Sequence, residues 1–339
     1  MRNRRYLGAA LRSVGLYALT MVAVIVVVFA LPRAMPGDPL AALDDPDTGA
    51  YVNDPAVRDR VRAYYGLDEP LPQQFQHYVG RLARGDLGFS IARKRPVASL
   101  LRAHLPWTLL LMGVAIVLAS LLSFVAGVAA TWRRGRIGDR SLMTGMTVAQ
   151  AVPEYAMAAV LLIAFAVVLP IFPLAGARTP FADHGTIAGL SFSGRTWTVL
   201  DVAHHLVLPA AALTLSLLGT KFLLVRNTMI SALGADYMVL ARAKGLPDRL
   251  LKYRHAGRNA LLPFLTVVGI QAGYAVGGAV FVESVFAYPG MGSLILQAVE
   301  ARDYPVLEAT FLVLALVVLT VNLLLELVYA RVDPRVGAE

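Results

Sequence analysis

Residues 14–31 read VGLYALTMVAVIVVVFAL, a stretch of eighteen residues without a single charge. A transmembrane α-helix needs about 20 mainly apolar residues to cross the hydrocarbon core of a bilayer. The run is longer than the apolar region of a secretory signal, and no small-x-small cleavage site follows it. We therefore expect an uncleaved membrane anchor here, and a chain whose solvent is largely lipid.

The composition agrees with a membrane protein. Of the 339 residues, 57% are hydrophobic and 16% are charged, whereas soluble domains are about a quarter charged. The absence of cysteine excludes disulfides and thiolate metal sites. A formal net charge of +9 fits either nucleic acid or an anionic membrane surface as a partner, and the placement of the charges decides between them.

Six apolar runs of spanning length occur one after another along the chain, and they predict an all-α membrane fold with six transmembrane helices. The runs are residues 14–31, 108–130, 142–168, 206–225, 263–286 and 306–328. In the third run, Pro153 is expected to kink the helix and to free a backbone carbonyl. In the fourth, Lys221 is expected to extend its ammonium group to the nearer, cytoplasmic interface.

The short loops between these runs alternate between basic and weakly charged. Lys and Arg in short loops face the cytoplasm. The basic segments contain Arg2, Arg4, Arg5 and Arg12, then Arg133, Arg134, Arg136 and Arg140, then Arg226, Arg242, Lys244, Arg249, Lys252, Arg254 and Arg258, and finally Arg331 and Arg335. The opposite loops carry only Arg178, Arg195 and Arg302. Both termini are therefore predicted in the cytoplasm, and the positive charge indicates topology rather than nucleic acid.

The segment from Pro32 to Pro106 is predicted to be an external helical cap. Asp54-Pro55 is a helix-start signal, and Pro72 begins a stretch with apolar residues on one helical face. We expect the last part, Val97–Leu105, to lie at the outer membrane interface before the second span. The chain then divides into residues 1–31 with the first span, the cap at 32–106, and a core of five spans at 107–339.

A long basic loop at residues 227–262 joins the fourth and fifth spans. Asp236 is a plausible N-cap, Gly245 fits a helix C-cap, and Pro247 suits the first turn of a second helix. A short capped helix outside the membrane suits docking into a groove on a partner. An ordinary solvated loop is the alternative, and the spacing alone favours neither.

Residues 236–263, DYMVLARAKGLPDRLLKYRHAGRNALLP, resemble the cytoplasmic EAA loop of ABC importer permeases. The pattern is similar to the longer variant of the dipeptide/oligopeptide/nickel branch. Other matches in the same order are Pro36-Gly37-Asp38-Pro39, Tyr65-Gly66-Leu67-Asp68, Pro70-Leu71-Pro72, Gly85–Ser90, Gly277-Gly278, Glu283, Phe286, Pro289-Gly290-Met291-Gly292 and Asp303-Tyr304-Pro305. Val239-Leu240 departs from the Glu-Ala of the general motif.

The resemblance implies a permease subunit in the bacterial inner membrane that imports peptides or similar small solutes. It implies a second homologous permease, two ATPase subunits that bind ATP and Mg, and an external solute-binding protein as partners. The chain lacks a G-x-x-x-x-G-K-[ST] phosphate loop, so we expect it not to be an enzyme and to carry no cofactor or metal. The resemblance assigns ATPase docking to Asp236, Tyr237, Ala241, Arg242, Ala243, Lys244 and Gly245.

Two acidic residues in the apolar runs have two interpretations each. Charges inside spans are costly and often functional. Glu283 is either a structural hydrogen-bond acceptor near the Pro289 turn, which we favour, or a pathway residue. Glu154 either lines the pathway or lies in solvent near the cytoplasmic end.

Two other classes of membrane protein compete with an ATP-driven importer. A secondary transporter would need substrate and ion sites at the membrane midplane, often on broken helices in paired repeats. An intramembrane enzyme would need a Ser/His pair, paired Asp residues or H-E-x-x-H inside the spans, and none appears. Co-purification with an ATPase subunit separates the importer from both.

Overall fold

The computed structural model describes residues 2–34, 59, 62, 63, 65, 66, 68–182, 184–187 and 189–332. Helices dominate this part of the chain. Their bounds are α1 Arg2–Ala34, α2 Leu71–Ala83, α3 Val97–Trp132, α4 Ile137–Ala151, α5 Glu154–Leu162, α6 Gly194–Leu233, α7 Asp236–Ala243, α8 Asp248–Leu250, α9 Arg258–Val285, α10 Met291–Glu300 and α11 Tyr304–Val332. A π-helical turn, Ile163–Val168, continues α5, and another, Leu251–Gly257, joins α8 to α9.

Two compact units make up the chain. The first unit comprises Met1–Trp107 and Gly290–Thr320, and the second comprises Thr108–Pro289 and Val321–Glu339.

Four helices among the described residues are long and apolar enough to cross a membrane: Gly15–Ala34, Val97–Trp132, Gly194–Leu233 and Tyr304–Leu324. A bent pair, Ile137–Ala151 with Glu154–Val168, makes a fifth span if it is counted as one. In α9 the described apolar stretch is Pro263–Gly273. The described residues thus form a mainly helical protein with four to five candidate spans, and the count of six stays a prediction.

Two of these helices exceed the thickness of a bilayer. Helix α3 has 36 residues and α6 has 40, which at about 1.5 Å per residue gives roughly 54 and 60 Å. The hydrocarbon core is about 30 Å thick, so both helices extend well beyond it. The residues Val97–Leu105, predicted to lie at the outer interface, form the first turns of α3 and are continuous with the span, and Val97 is fully buried. Their interfacial position stays a prediction.

The predicted kink at Pro153 is confirmed, and it is a complete break. Helix α4 ends at Ala151, α5 begins at Glu154, and the two helix axes differ by 103°. Proline lacks an N–H and clashes with the preceding turn, which explains the interruption at this point.

A β-hairpin corrects the expectation of an all-α fold. Strands β1 (His184–Ile187) and β2 (Leu190–Ser193) pair antiparallel, and Gly189 has a φ of +81° in the turn. The buried indole of Trp197 donates a hydrogen bond to the Ala182 carbonyl at 3.1 Å. A Cβ at Gly185 would lie 2.2 Å from that indole ring, so only glycine fits there. Alternating residues around a glycine turn are a hairpin signal that the prediction of an all-α fold did not take into account.

The helical stretch predicted to begin at Pro72 is confirmed as α2, which begins one residue earlier, at Leu71, and has Tyr78 buried. Burial raises the pKa of the Tyr78 phenol above its ordinary value, and the nearby Glu308 acts in the same direction. The helix start predicted at Asp54-Pro55 lies outside the described residues. The assignment of residues 32–106 to an external cap stays a prediction.

Candidate functional site

Helix α7 occupies the place in the basic loop where a docking helix was predicted. Asp236 is its first helical residue and Ala235 is the N-cap, so the N-cap assignment to Asp236 is wrong by one position. The Asp236 carboxylate instead lies in the first turn, where the positive end of the helix dipole favours an anion. Pro247 is similarly the N-cap of α8, which begins at Asp248.

The end of α7 is a glycine cap, as predicted. Gly245 has a φ of +69°, a conformation that residues with a Cβ rarely adopt. The Gly245 N–H donates to the Arg242 carbonyl at 2.9 Å, and the Leu246 N–H donates to the Ala241 carbonyl at 3.4 Å. This pair of hydrogen bonds is the Schellman arrangement, in which the chain turns sharply away from the helix axis.

One face of α7 is fixed to the core of the second unit. Met238 is fully buried and Ala241 is nearly so. Both belong to one apolar cluster, whose other buried members are Val128, Val225, Met229, Ala232, Leu251, Ala256, Ala260 and Phe264. Ala241 was predicted to touch the partner, but its side chain faces this cluster and supports α7 from behind. Met238, the main anchor, was not identified from the sequence.

The opposite face of α7 is exposed and largely apolar. The exposed fraction is 62% for Val239, 58% for Leu240 and 40% for Tyr237. We use the name docking surface for the exposed residues of this helix and its cap: Asp236, Tyr237, Val239, Leu240, Arg242, Ala243, Lys244 and Gly245. Clustered exposed apolar side chains with a polar rim are typical of protein interaction sites.

The base of the loop contains an ion pair that was not predicted from the sequence. Arg226 on α6 donates from Nε and Nη2 to the two carboxylate oxygens of Asp139 on α4, both at 2.9 Å. Asp139 is 3% exposed, and the Gly135 N–H also donates to it at 3.1 Å. Bidentate Arg–carboxylate pairs are strong and directional. Arg226 was counted only as a topological charge, although Asp139 is the one acid in its own basic loop.

The two predicted intramembrane acids have different surroundings. Glu283 is fully buried, and its carboxylate accepts a hydrogen bond from the Thr108 hydroxyl at 2.6 Å, while its backbone carbonyl accepts one from the Tyr288 N–H at 2.7 Å. Glu154 is the first residue of α5 at the helix break, and it is half-buried. These placements leave both interpretations of Glu154 open.

Lys221 does not reach an interface. The residue is fully buried on α6, and within the described residues its Nζ makes no hydrogen bond. The expectation that its ammonium group extends to the cytoplasmic interface is therefore wrong for this structure.

Three of the segments that carry the family resemblance meet in the first unit, at what we call the motif junction: Tyr65, Gly88–Ser90 and Asp303. The Ser90 hydroxyl donates to Asp303 Oδ2 at 2.5 Å, and the N–H groups of Ile91 and Ala92 donate to the same carboxylate at 3.3 and 3.1 Å.

The backbone beside Ser90 is held equally closely. The Tyr65 hydroxyl accepts from the Phe89 N–H at 2.9 Å and donates to the Phe89 carbonyl at 2.5 Å. Gly88 has a φ of +82°, and a Cβ there would lie 3.2 Å from that hydroxyl. The first unit also contains an ion pair between Arg33 and Glu308, both nearly buried.

Metal-ligating side chains do not cluster in the part of the chain that the structure describes. There, no three His, Asp or Glu side chains come together in an arrangement that could hold a metal ion. The expectation that this chain carries no metal or cofactor stays a prediction.

Comparison with known proteins gives one consistent result. Residues 119–338 match the family described as "Binding-protein-dependent transport system inner membrane component". A putative peptide permease protein of Brucella ovis is 35% identical over 93% of this chain and 94% of its own length. The di/tripeptide transport system permease protein DppB of Pseudomonas aeruginosa is 34% identical over 96% and 97%. The oligopeptide transport system permease protein AppB of Bacillus subtilis is 34% identical over 91% and 92%.

Proposed function

We propose a role that starts from the family to which this chain belongs, the inner membrane components of binding-protein-dependent transport systems. The chain is a transport permease and not an enzyme. In the proposed complex it forms the translocation pathway together with a second homologous permease. Two separate ATPase subunits bind ATP and Mg, and an external solute-binding protein delivers the solute.

The proposed solutes are peptides or similar small molecules. The names of the similar permeases, which transport di- and tripeptides and oligopeptides, support this class. In the proposed topology, six helices span the membrane and both termini lie in the cytoplasm, as the loop charges indicate.

The observation that supports ATPase coupling is the division of α7 into two faces. Met238 and Ala241 hold the helix to the core, while Val239 and Leu240 are exposed in an otherwise basic loop. Exposing two large apolar side chains to water is unfavourable, by about 25 cal/mol per Å² of apolar surface. A partner groove that covers them removes this cost, and Arg242 and Lys244 supply a polar rim.

The same division explains how motion would pass into the membrane. The cluster that holds Met238 includes Val225 and Met229 of α6 and Ala260 and Phe264 of α9. A displacement of α7 by closing ATPase subunits therefore acts on both helices at once. In our proposal, this moves the spans from an inward-open to an outward-open arrangement, and the break at Pro153 gives α4 and α5 a point of bending.

Glu154 and Glu283 receive different roles in this proposal. Glu283 is structural, because its carboxylate is enclosed and accepts the Thr108 hydroxyl. Glu154 is the candidate pathway residue, because it is half-buried at the break between two helices and makes no ion pair within the described residues.

The docking proposal is tested with acidic substitutions on the exposed face. In Val239→Asp/Leu240→Asp, the amount of ATPase subunit retained on the membrane and the solute uptake should both fall strongly at matched permease levels. Ile137→Asp is the control, since Ile137 is 86% exposed at the start of α4, outside the docking surface. Normal retention and uptake in the double variant would exclude α7 as the contact.

The topology is tested by labelling introduced cysteines. Because the chain has no cysteine of its own, each introduced thiol is the only one that can react. Ser191 and Ser231 are both exposed, whereas the side chain of Ser90 is buried and unsuited to labelling. Single cysteines at 191 and 231 should react with an impermeant thiol reagent from opposite sides of intact cells. Reaction of both from outside would overturn the orientation.

A further inference from the structure

A second surface of the basic loop differs in chemistry from the docking surface. The chain from Pro247 to Arg254 forms an open groove of about 550 Å³, lined by Pro247, Arg249, Leu250, Tyr253 and Arg254. The helical turn α8 and the π-helical turn after it place these side chains on one side, because residues four apart share a helical face. On the other side, Leu251 and Ala256 are buried in the apolar cluster. The groove is therefore built on a fixed segment.

The groove is positively charged, and no carboxylate is among the residues that line it. Arg249 and Arg254 are exposed, and neither side chain makes a hydrogen bond or ion pair there. Lys252 adds a third cation, with its Nζ 5.0 Å from the centre of the Tyr253 ring. Asp248 is the one acid between Pro247 and Pro263. An anionic ligand would therefore meet three cations, Arg249, Lys252 and Arg254, against one neighbouring carboxylate.

The groove also lies close to the start of an apolar helix. The apolar sequence of α9 begins at Ala260, seven residues after Tyr253. The intervening residues are helical, so Tyr253 lies within about two helical turns of this apolar sequence, near the level of the lipid headgroups in the proposed topology. Tyrosine is enriched at this level because its ring is apolar and its hydroxyl is polar.

We propose that this groove binds the headgroup of an anionic phospholipid at the cytoplasmic face of the membrane. The two guanidinium groups bind the phosphate, for which their planar pairs of N–H donors are suited. Pro247, Leu250 and the Tyr253 ring cover the apolar part of the lipid next to it. Basic pockets on the cytoplasmic side are known to hold anionic headgroups. The proposal rests on the cytoplasmic placement of the loop in the proposed function.

An acidic surface on an ATPase subunit is the other candidate occupant of the groove. The residues that line the groove favour the lipid. The docking surface, where a protein partner is proposed, has Val239 and Leu240 at its centre, as protein interfaces have apolar cores. The groove instead has two arginines side by side with the apolar surface of Pro247, Leu250 and the Tyr253 ring. This arrangement suits a phosphate joined to hydrocarbon.

The test measures lipid binding to the purified full-length chain by titration with phosphatidylglycerol in detergent and native mass spectrometry. The wild-type chain should retain phosphatidylglycerol and not phosphatidylcholine. In Arg249→Gln/Arg254→Gln, the affinity for phosphatidylglycerol should fall about 30-fold, because each basic side chain near an anionic surface contributes roughly a factor of five. Arg136→Gln/Arg140→Gln, which removes two exposed arginines from another basic loop, should leave the affinity unchanged.

Further measurements separate the sources of the signal. Inorganic phosphate that displaces the lipid completely at equal concentration would show a site for free phosphate and would overturn the proposal. Equal lipid affinity in both double variants, at equal melting temperature, would also overturn it. So would loss of ATPase retention in Arg249→Gln/Arg254→Gln with lipid affinity unchanged, which would assign the groove to the ATPase. Normal lipid affinity in Val239→Asp/Leu240→Asp is expected, so the lipid and docking proposals can fail separately.

Discussion

The motif junction of the first unit and the docking surface of the second unit both lie in motifs that relate this chain to its family, yet they have opposite physical character. At the junction, Ser90 and Asp303 are buried and hydrogen-bonded to each other. On the docking surface, Val239 and Leu240 are apolar and exposed. The motif at the junction supplies hydrogen bonds to buried polar groups of the same chain. The motif on the docking surface leaves apolar side chains exposed until a partner covers them.

The two regions differ because burying a carboxylate and exposing an apolar side chain to water carry very different free-energy costs. A carboxylate removed from water is destabilising unless hydrogen bonds replace its solvent. Burial accordingly raises the pKa of the Asp303 carboxyl, while hydrogen bonds from Ser90, Ala92 and Ile91 act in the opposite direction. Apolar side chains in water cost much less each, so an exposed pair can persist until a partner covers it.

A large effect on stability is expected at the junction. Asp303→Ala leaves the Ser90 hydroxyl and two backbone N–H groups without their acceptor, and should lower the free energy of unfolding by about 3 kcal/mol. The melting temperature of the purified permease measures this loss. Asp303→Asn, which keeps one acceptor oxygen, should lose less.

The same variant sharpens the comparison between the two regions. ATPase retention per folded Asp303→Ala permease should equal that of the wild type. A selective loss of retention at unchanged melting temperature would show that the junction takes part in coupling, and the two regions would then not differ in function as proposed.

Met238, the anchor of α7, should affect both the stability of the permease and the retention of the ATPase subunit. Met238→Ala creates a cavity beneath the helix and should cost about 2–4 kcal/mol. Because the docking surface then loses its support, ATPase retention should fall as well. Hydrogen exchange over residues 236–245 and the amount of retained ATPase give the two readings. Val239→Ala, at an exposed position, should leave exchange unchanged, and equally fast exchange in both variants would contradict the anchor role.

At the cap of α7 we expect only a small change in the free energy of unfolding but a large loss of ATPase retention and uptake. Gly245→Asp places a side chain at a φ of +69°, which costs about 1 kcal/mol, although the space around the Cβ is open. The added charge at the docking surface should reduce ATPase retention and uptake while permease levels stay normal.

Gly245→Ala separates the two contributions, because it has the same backbone strain without the charge and should retain more ATPase. Normal retention and uptake in Gly245→Asp would exclude the docking assignment. Loss of the permease itself from the membrane would show that the cap is structural.

Much of the docking helix was predictable from local pattern. Helical spacing and the position of Gly245 predicted α7 to within a residue or two at each end, because capping and helix formation depend on neighbouring residues. The inward face was not predictable. Met238 and Leu240 are both apolar in the sequence, and only the cluster contributed by α6 and α9 makes one an anchor and leaves the other exposed.

The sequence by itself determined the class of protein, because apolar length, loop charge and ordered motifs are properties of the chain read in one dimension. Those features identified a multi-helix membrane permease before any contact was known. Only the tertiary structure showed which polar residues are buried and which residues they pair with. Ser90 and Asp303 are 213 positions apart, and Arg226 and Asp139 are 87 apart. Such pairs form because burial makes an unpaired charge costly, and the identity of the partner depends on how distant helices pack.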